Sequence, residues 1–170
     1  MNAQPRLSLT RPLVVGSVST VDAWQAACAA ETLPCDVVEL RVDGLPADTD
    51  WTALAQMRCC CPVLVTVRHE SEGGLRSMST EERLHIARTL LPLAAALDWE
   101  IAQLPAAQEL VAEAHAAGVP VIASAHDFEK TPALETLLEK EQTARALGAD
   151  VAKFAFRLHC AEDMMTGVQL

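Results

Sequence analysis

Six short apolar segments recur along the chain, separated by longer amphipathic stretches. Each segment is rich in valine, leucine or isoleucine and has the length of a buried strand. Each is followed by polar residues. The segments are LVVGSV (13–18), DVVELRV (36–42), VLVTVR (63–68), LDWEI (97–101), PVIASA (120–125) and DVAKFAF (150–156).

The stretches between these segments carry helix signals. Residues 20–31 are rich in alanine and follow Thr20, and Ser79 and Glu82 have the spacing of a capping box. Further helices are predicted from Pro105 to Gly118, from Thr131–Pro132 to Gly148, and after the sixth strand in CAEDMMTGVQL. A regular alternation of strand and helix predicts a parallel sheet.

Polar and apolar side chains alternate within the predicted strands. In DVVELRVD, Glu39, Arg41 and Asp43 share one face, and the valines and leucine between them share the other. Helices must cover the apolar face, so the polar face points into a barrel, towards the mouth where such folds place their chemistry. A doubly wound open sheet is the alternative, but it needs two apolar faces. The same polar face holds Thr66, Arg68, Asp98, Glu100, Ser124, His126 and Lys153.

The spacing of the strands suits a TIM barrel, an α/β fold of the (β/α)₈ type. Such a barrel uses about 30 residues for each βα unit. The 170 residues therefore accommodate about six units. We expect one incomplete TIM-barrel domain over residues 1–170.

Composition narrows the class of protein. The chain is 51% hydrophobic with a net charge of −10, which argues against nucleic acid or an anionic membrane as a partner. No apolar run approaches the ~20 residues of a membrane span, and MNAQPRLSLTRPLVVG lacks a signal-peptide core. Six cysteines without a C-x-x-C pair predict reduced thiols in the cytoplasm. We expect Cys59, Cys60 and Cys61 to be small buried side chains rather than metal ligands.

Lys153 lies at the centre of the apolar run GADVAKFAF. An interior lysine suits imine formation with a ketone, because desolvation and neighbouring cations favour the neutral amine. The alternative is an ion pair with an inward carboxylate such as Glu100 or Glu39. His126 lies on the same face of the preceding strand, and neighbouring strands are ~4.8 Å apart. A histidine there can transfer protons at neutral pH.

Several runs together resemble the type I 3-dehydroquinate dehydratases, the imine-forming dehydratases of the shikimate pathway. They are GSVS, VELRVDGL, VTVRHESEGG, LDWE, SAHDFEKTP and GADVAKFA, in this order from about residue 13 to 156. SAHDFEKTP followed by GADVAK, with ELRVD upstream, is the specific part of the match.

The resemblance implies a role for each matching residue. Lys153 corresponds to the lysine that forms an imine with the ring ketone of 3-dehydroquinate. His126 corresponds to the general acid/base that removes a proton beside the ketone and later helps the hydroxyl leave, and Glu72 to a glutamate that assists it. Glu100 matches an acidic residue below this pair. No metal or organic cofactor is implied. The substrate-binding positions are Ser17, Glu39, Arg41 and Arg68.

The chain departs from the family pattern after CAEDMMTGVQL. Family members continue for two more βα units, which carry an arginine for the substrate carboxylate and a lid. We therefore expect a truncated enzyme with impaired turnover and free edges at the first and sixth strands, which favour association into a homodimer. Two alternatives remain open. One is a non-catalytic, degenerate barrel that at most binds ligand, and the other is a different imine-forming barrel such as an aldolase.

Overall fold

The computed structural model describes Leu7 and residues 11–170. Its six strands form one parallel sheet in the order β1-β2-β3-β4-β5-β6, the same as their order in the chain. A doubly wound sheet would reverse direction at a switch point, so this order confirms the predicted barrel type. The strands are β1 Val15–Val18, β2 Val37–Arg41, β3 Val63–Thr66, β4 Ala96–Glu100, β5 Val121–Asp127 and β6 Val151–Phe156.

A helix follows each strand and covers the outer face of the sheet. The predicted helices are confirmed, but α2, a helix of only five residues begun by the Asp50 cap, was missed. Short 3₁₀ segments at Val42–Gly44 and Ile101–Ala107 continue directly from β2 and β4, and a third, Glu70–Glu72, follows β3 after residues 67–69. The helices are α1 Val21–Ala29, α2 Trp51–Ala55, α3 Thr80–Leu90, α4 Gln108–Ala116, α5 Leu134–Ala146 and α6 Ala161–Gln169.

Most predicted helix boundaries hold because their capping groups are used. Ser79 Oγ accepts a hydrogen bond from the Glu82 backbone, as in a capping box, but the Glu82 carboxylate binds Arg76 instead of returning to Ser79. Gly118 and Gly148 follow α4 and α5 with φ of 72° and 90°, a conformation that favours glycine. Pro105 lies within a 3₁₀ segment, so α4 begins three residues later than expected.

The two faces of the sheet bury different kinds of side chain. Outward residues such as Val38, Leu40 and Val65 pack beneath the helices with Ile86 and Leu90. The inner face is apolar at the N-terminal ends of the strands and charged towards their C-terminal ends. The apolar inner group is Val37, Leu64, Ala96 and Ile122.

The cysteine prediction is only partly correct. Cys59 is buried and its thiol lies 3.8 Å from the Ala27 carbonyl oxygen, but Cys60 is exposed. The triplet precedes β3 and lies in a connection, where one of the three side chains turns to solvent. Within the described ranges, no three His, Cys, Asp or Glu residues are arranged to hold a metal ion. No helix in the same ranges has the length and hydrophobicity needed to cross a membrane.

Leu40 is fully buried between the sheet and its helices. We expect Leu40→Ala to lower the free energy of unfolding by about 2–5 kcal/mol, because it removes buried methyl groups and leaves a cavity. Urea unfolding measures the change. Leu138→Ala, at a position 40% exposed, is the matched control and should cost far less. Similar losses in both variants would contradict the described core.

Candidate active site

A group of buried charges fills the inner face of β3, β4 and β5. Arg68 Nη2 donates to Asp98 Oδ1 at 2.8 Å, and Arg68 Nη1 donates to Glu100 Oε1 at 3.1 Å and to Ser124 Oγ at 2.5 Å. The Ser124 hydroxyl in turn donates to Asp98 Oδ1 at 2.6 Å. These contacts follow from the strand register, which aligns Thr66 with Asp98, and Glu100 with Ser124.

Lys153 joins this group through Asp98. Its Nζ donates to Asp98 Oδ2 at 2.9 Å, and the register places Lys153 beside Ser124. The predicted alternative, an ion pair of Lys153 with Glu100 or Glu39, is therefore wrong, because the partner is Asp98. Burial opposes ionisation of Asp98, but the charges of Arg68 and Lys153 and the Ser124 hydrogen bond outweigh it and lower the carboxyl pKa. Asp98 is thus a carboxylate held between two cations.

Glu100 connects the inner charges to α3. Its Oε1 also accepts from the His69 backbone at 2.8 Å, and its Oε2 accepts from Arg83. The Arg83 guanidinium is fully buried, donates to the Val67 carbonyl and lies 4.3 Å from the centroid of the Trp99 ring. Arg83 was missed from the sequence. It shares one helix face with the buried Ile86, Ala87 and Leu90, so the helical period was the available signal.

His126 and Glu72 form a second pair, at the C-terminal end of β5. His126 Nδ1 lies 2.9 Å from Glu72 Oε2, and the His126 backbone N–H donates to the same oxygen at 3.0 Å. An ionised carboxylate only accepts, so Nδ1 carries the proton and Nε2 is left to accept one. His126 and Lys153 share one face of neighbouring strands, two residues apart in register, and are not hydrogen-bonded to each other.

The loop that carries Glu72 is held by β2. Arg41 makes two hydrogen bonds to Asp43 and a third, at 3.0 Å, to the Gly73 carbonyl oxygen. Burial opposes ionisation of Asp43, but its bonds to Arg41 and to the Leu75 backbone lower its pKa. Gly73 has φ of 85°, a conformation that favours glycine, and a Cβ there would lie 2.9 Å from the Phe128 ring.

The carboxylate of Glu39, one of the predicted substrate-binding residues, accepts hydrogen bonds from two hydroxyl groups. Ser17 Oγ donates to Glu39 Oε2 at 2.7 Å, and Thr66 Oγ1 donates to Glu39 Oε1 at 2.8 Å. This places Ser17 and Glu39 together, on the β1 side of the charged group. Arg68 is only 3% exposed, and its contacts favour positioning of Asp98 over direct contact with a ligand. Its predicted substrate contact stays a prediction.

The fold and the site define a barrel-type α/β protein with a lysine and a histidine on the inner face of adjacent strands. The profile of the family described as Type I 3-dehydroquinase matches residues 12–169, and the chain belongs to this family.

Curated relatives and solved structures carry the same description. The chain is 38% identical over 144 residues to a 3-dehydroquinate dehydratase of Klebsiella pneumoniae, covering 77% of this chain and 56% of that relative. It is 31% identical over 155 residues to a 3-dehydroquinate dehydratase of Enterococcus faecalis, covering 85% of this chain and 61% of that relative. The solved Enterococcus faecalis enzyme aligns with a TM-score of 0.79 at 31% identity, over 91% of this chain and 70% of that one. The enzyme of Geobacillus kaustophilus aligns with a TM-score of 0.82 at 25% identity, over 94% and 67%. The chain thus spans less than two thirds of the length of these curated relatives.

Arg83 and Arg88 offer a comparison within one helix. We expect Arg83→Met to lower the free energy of unfolding by about 3 kcal/mol or more, since it removes a buried partner of Glu100. Arg88→Met should cost less than about 1 kcal/mol, because the bonds of Arg88 to Glu109 and Glu113 are exposed to solvent. Urea unfolding of both variants tests this. Equal losses in the two variants would show that the buried Arg83–Glu100 pair contributes no more to stability than the exposed pairs of Arg88.

Proposed function

We propose that this chain carries the imine chemistry that dehydrates 3-dehydroquinate to 3-dehydroshikimate, a hydro-lyase step of the shikimate pathway. The observation that carries the proposal is the placement of Lys153 and His126. Both lie on the inner face of adjacent strands, each bound to its own carboxylate, in a chain of the type I family. In this proposal Lys153 is the nucleophile, His126 the general acid/base and Glu72 its partner.

The chemistry needs a cationic electron sink next to a base. Attack of Lys153 on the ring ketone forms an imine, which is protonated more readily than the ketone and better stabilises the carbanion formed beside it. His126 Nε2 removes that neighbouring proton and returns it to the departing hydroxyl, which leaves as water. The Glu72 contact at Nδ1 fixes the tautomer that this requires.

An anionic substrate needs cations in a chain whose net charge is −10. We propose that Ser17, Glu39 and Arg41 bind substrate hydroxyl and carboxylate groups. Arg68 acts in the same site, through Asp98 or directly. The group formed by Arg68, Arg83 and Lys153 with Asp98 and Glu100 has one positive charge in excess.

A second candidate function is ligand binding without efficient turnover. It is favoured by the outer strands of the described sheet, because β1 and β6 each pair with one neighbour and Lys153 is 37% exposed. Such edges also favour association with a second copy, which sizing of the protein in solution tests.

We propose one barrel domain over residues 1–170 and, from the cysteine spacing, a cytoplasmic location.

Lys153 should be the site of covalent trapping. With 3-dehydroquinate and borohydride, we expect an adduct on Lys153 and none after Lys153→Ala, because only this lysine lies on the inner face. Peptide mass spectrometry locates the adduct. Lys130 and Lys140, the other lysines of the chain, serve as internal controls. An adduct on either of them, or no adduct at all, counts against imine catalysis.

His126→Ala should separate turnover from imine formation. Loss of general acid/base catalysis should lower the dehydration rate by ~10²–10⁴, while borohydride trapping at Lys153 survives. His85→Ala, at an exposed position of α3, is the matched control and should leave both readouts unchanged. Unchanged turnover in His126→Ala would exclude this histidine as the proton carrier. Equal loss of trapping would indicate a positioning role.

A further inference from the structure

The two oxygens of the Asp98 carboxylate have different hydrogen-bond partners. Oδ1 accepts from Arg68 and from Ser124, both of which are themselves buried. Oδ2 accepts only from Lys153 Nζ among the described residues. The carboxylate is fully buried, so its orientation is set by Arg68 and Ser124 before any ligand arrives.

The charges around Asp98 balance except at Lys153. Arg68 and Arg83 supply two positive charges, and Asp98 and Glu100 supply two negative ones, with side chains at most 3% exposed. Lys153, which is 37% exposed, adds a third positive charge, so the five side chains carry a net charge of +1. The excess charge is therefore at the end of the group that a ligand can reach.

We propose that Asp98 is the counter-ion of the imine nitrogen and thus a catalytic residue. This inference rests on the proposed function. Condensation of an ammonium with a ketone gives a protonated imine and one water molecule, so the positive charge on Nζ is conserved. The N–H of the protonated imine can donate to the same Oδ2 that holds the ammonium in the free protein. Asp98 therefore stabilises the cation before and after the covalent step.

Other charged groups near the site are committed to partners of their own. Glu39 accepts from Ser17 and Thr66, and Arg41 binds Asp43 and the Gly73 carbonyl. Glu100 accepts from Arg68, Arg83 and the His69 backbone.

The Glu72 carboxylate accepts from His126. Within the described part of the chain, Asp98 is therefore the only carboxylate bonded to Nζ.

Asp98→Asn should have opposite effects on the availability of the Lys153 amine and on the rate of dehydration. The free amine becomes more available, because the carboxylate that favours the ammonium is gone. Dehydration becomes slower, because the protonated imine loses its counter-ion.

Trace acetylation with acetic anhydride tests the first effect without any substrate. The readout is the labelling of Lys153 relative to Lys130 in the same chain, measured by mass spectrometry over a range of pH. For Asp98→Asn we expect the midpoint of the Lys153 profile to move to lower pH, with an increase of about tenfold in relative labelling at neutral pH for each pH unit of movement. Asp98→Glu should stay closer to the unmodified chain.

Glu109→Gln is the matched control, because it removes one negative charge at a side chain that is 90% exposed. It should leave the ratio unchanged. An unchanged ratio in Asp98→Asn overturns the proposal. A raised ratio together with absent dehydration in the unmodified chain supports the contact of Asp98 with Nζ and refutes the proposed function, so the two failures are distinguishable.

Lys153→Met tests the same contact if Asp98→Asn does not fold. A carboxyl whose pKa is lowered by folding stabilises the protein above its unfolded pKa, and this stability is lost as pH falls through the folded pKa. Without Lys153 the pKa of Asp98 rises towards its unfolded value, so less stability should be lost on acidification and the loss should be complete at higher pH. Thermal unfolding across acidic pH measures the shift. Its absence also overturns the proposal.

Discussion

Arg68 and Asp98 face each other across neighbouring strands at 2.8 Å, inside the sheet and almost without exposure to solvent. Either charge alone would be strongly unfavourable there, because transfer of an ion from water to a protein interior costs several kcal/mol. The pair is therefore stable only with its further partners. Glu100 and Ser124 complete the bonds of Arg68, and Lys153 completes those of Asp98. The position of the candidate nucleophile on β6 thus depends on a charge balance that begins with Arg68, just after the end of β3, three strands away.

This constraint explains how the inner face is divided. Charges lie towards the C-terminal ends of the strands, where water and ligands have access, and the apolar residues Val37, Leu64 and Ile122 fill the opposite end. The loop with Glu72 is then fixed from two sides, by Arg41 through the Gly73 carbonyl and by His126. His126 and Glu72 are therefore held at the C-terminal end of β5, on the same inner face as Lys153.

The elements and their faces were predictable because backbone geometry repeats with a short period. Alternation in DVVELRVD correctly placed Glu39 and Arg41 inside and Leu40 outside. Strand order followed from chain order, since each helix returns the chain to the next position of a parallel sheet. The short helix α2 was missed because five residues show no helical period. Cys60 was misplaced because a connection outside a strand has no alternation to rely on.

The sequence by itself determined the fold type, the inward face and the identities of Lys153 and His126 as candidate residues, because these depend on periodicity and on local motifs. Only the tertiary structure decided which carboxylate meets which cation. Lys153 binds Asp98 rather than Glu100 or Glu39, since the stagger between strands sets the relative height of inward side chains. Arg83 reaches Glu100 from a helix 17 residues earlier in the chain. Such pairings depend on register and packing between distant segments, which no local pattern encodes.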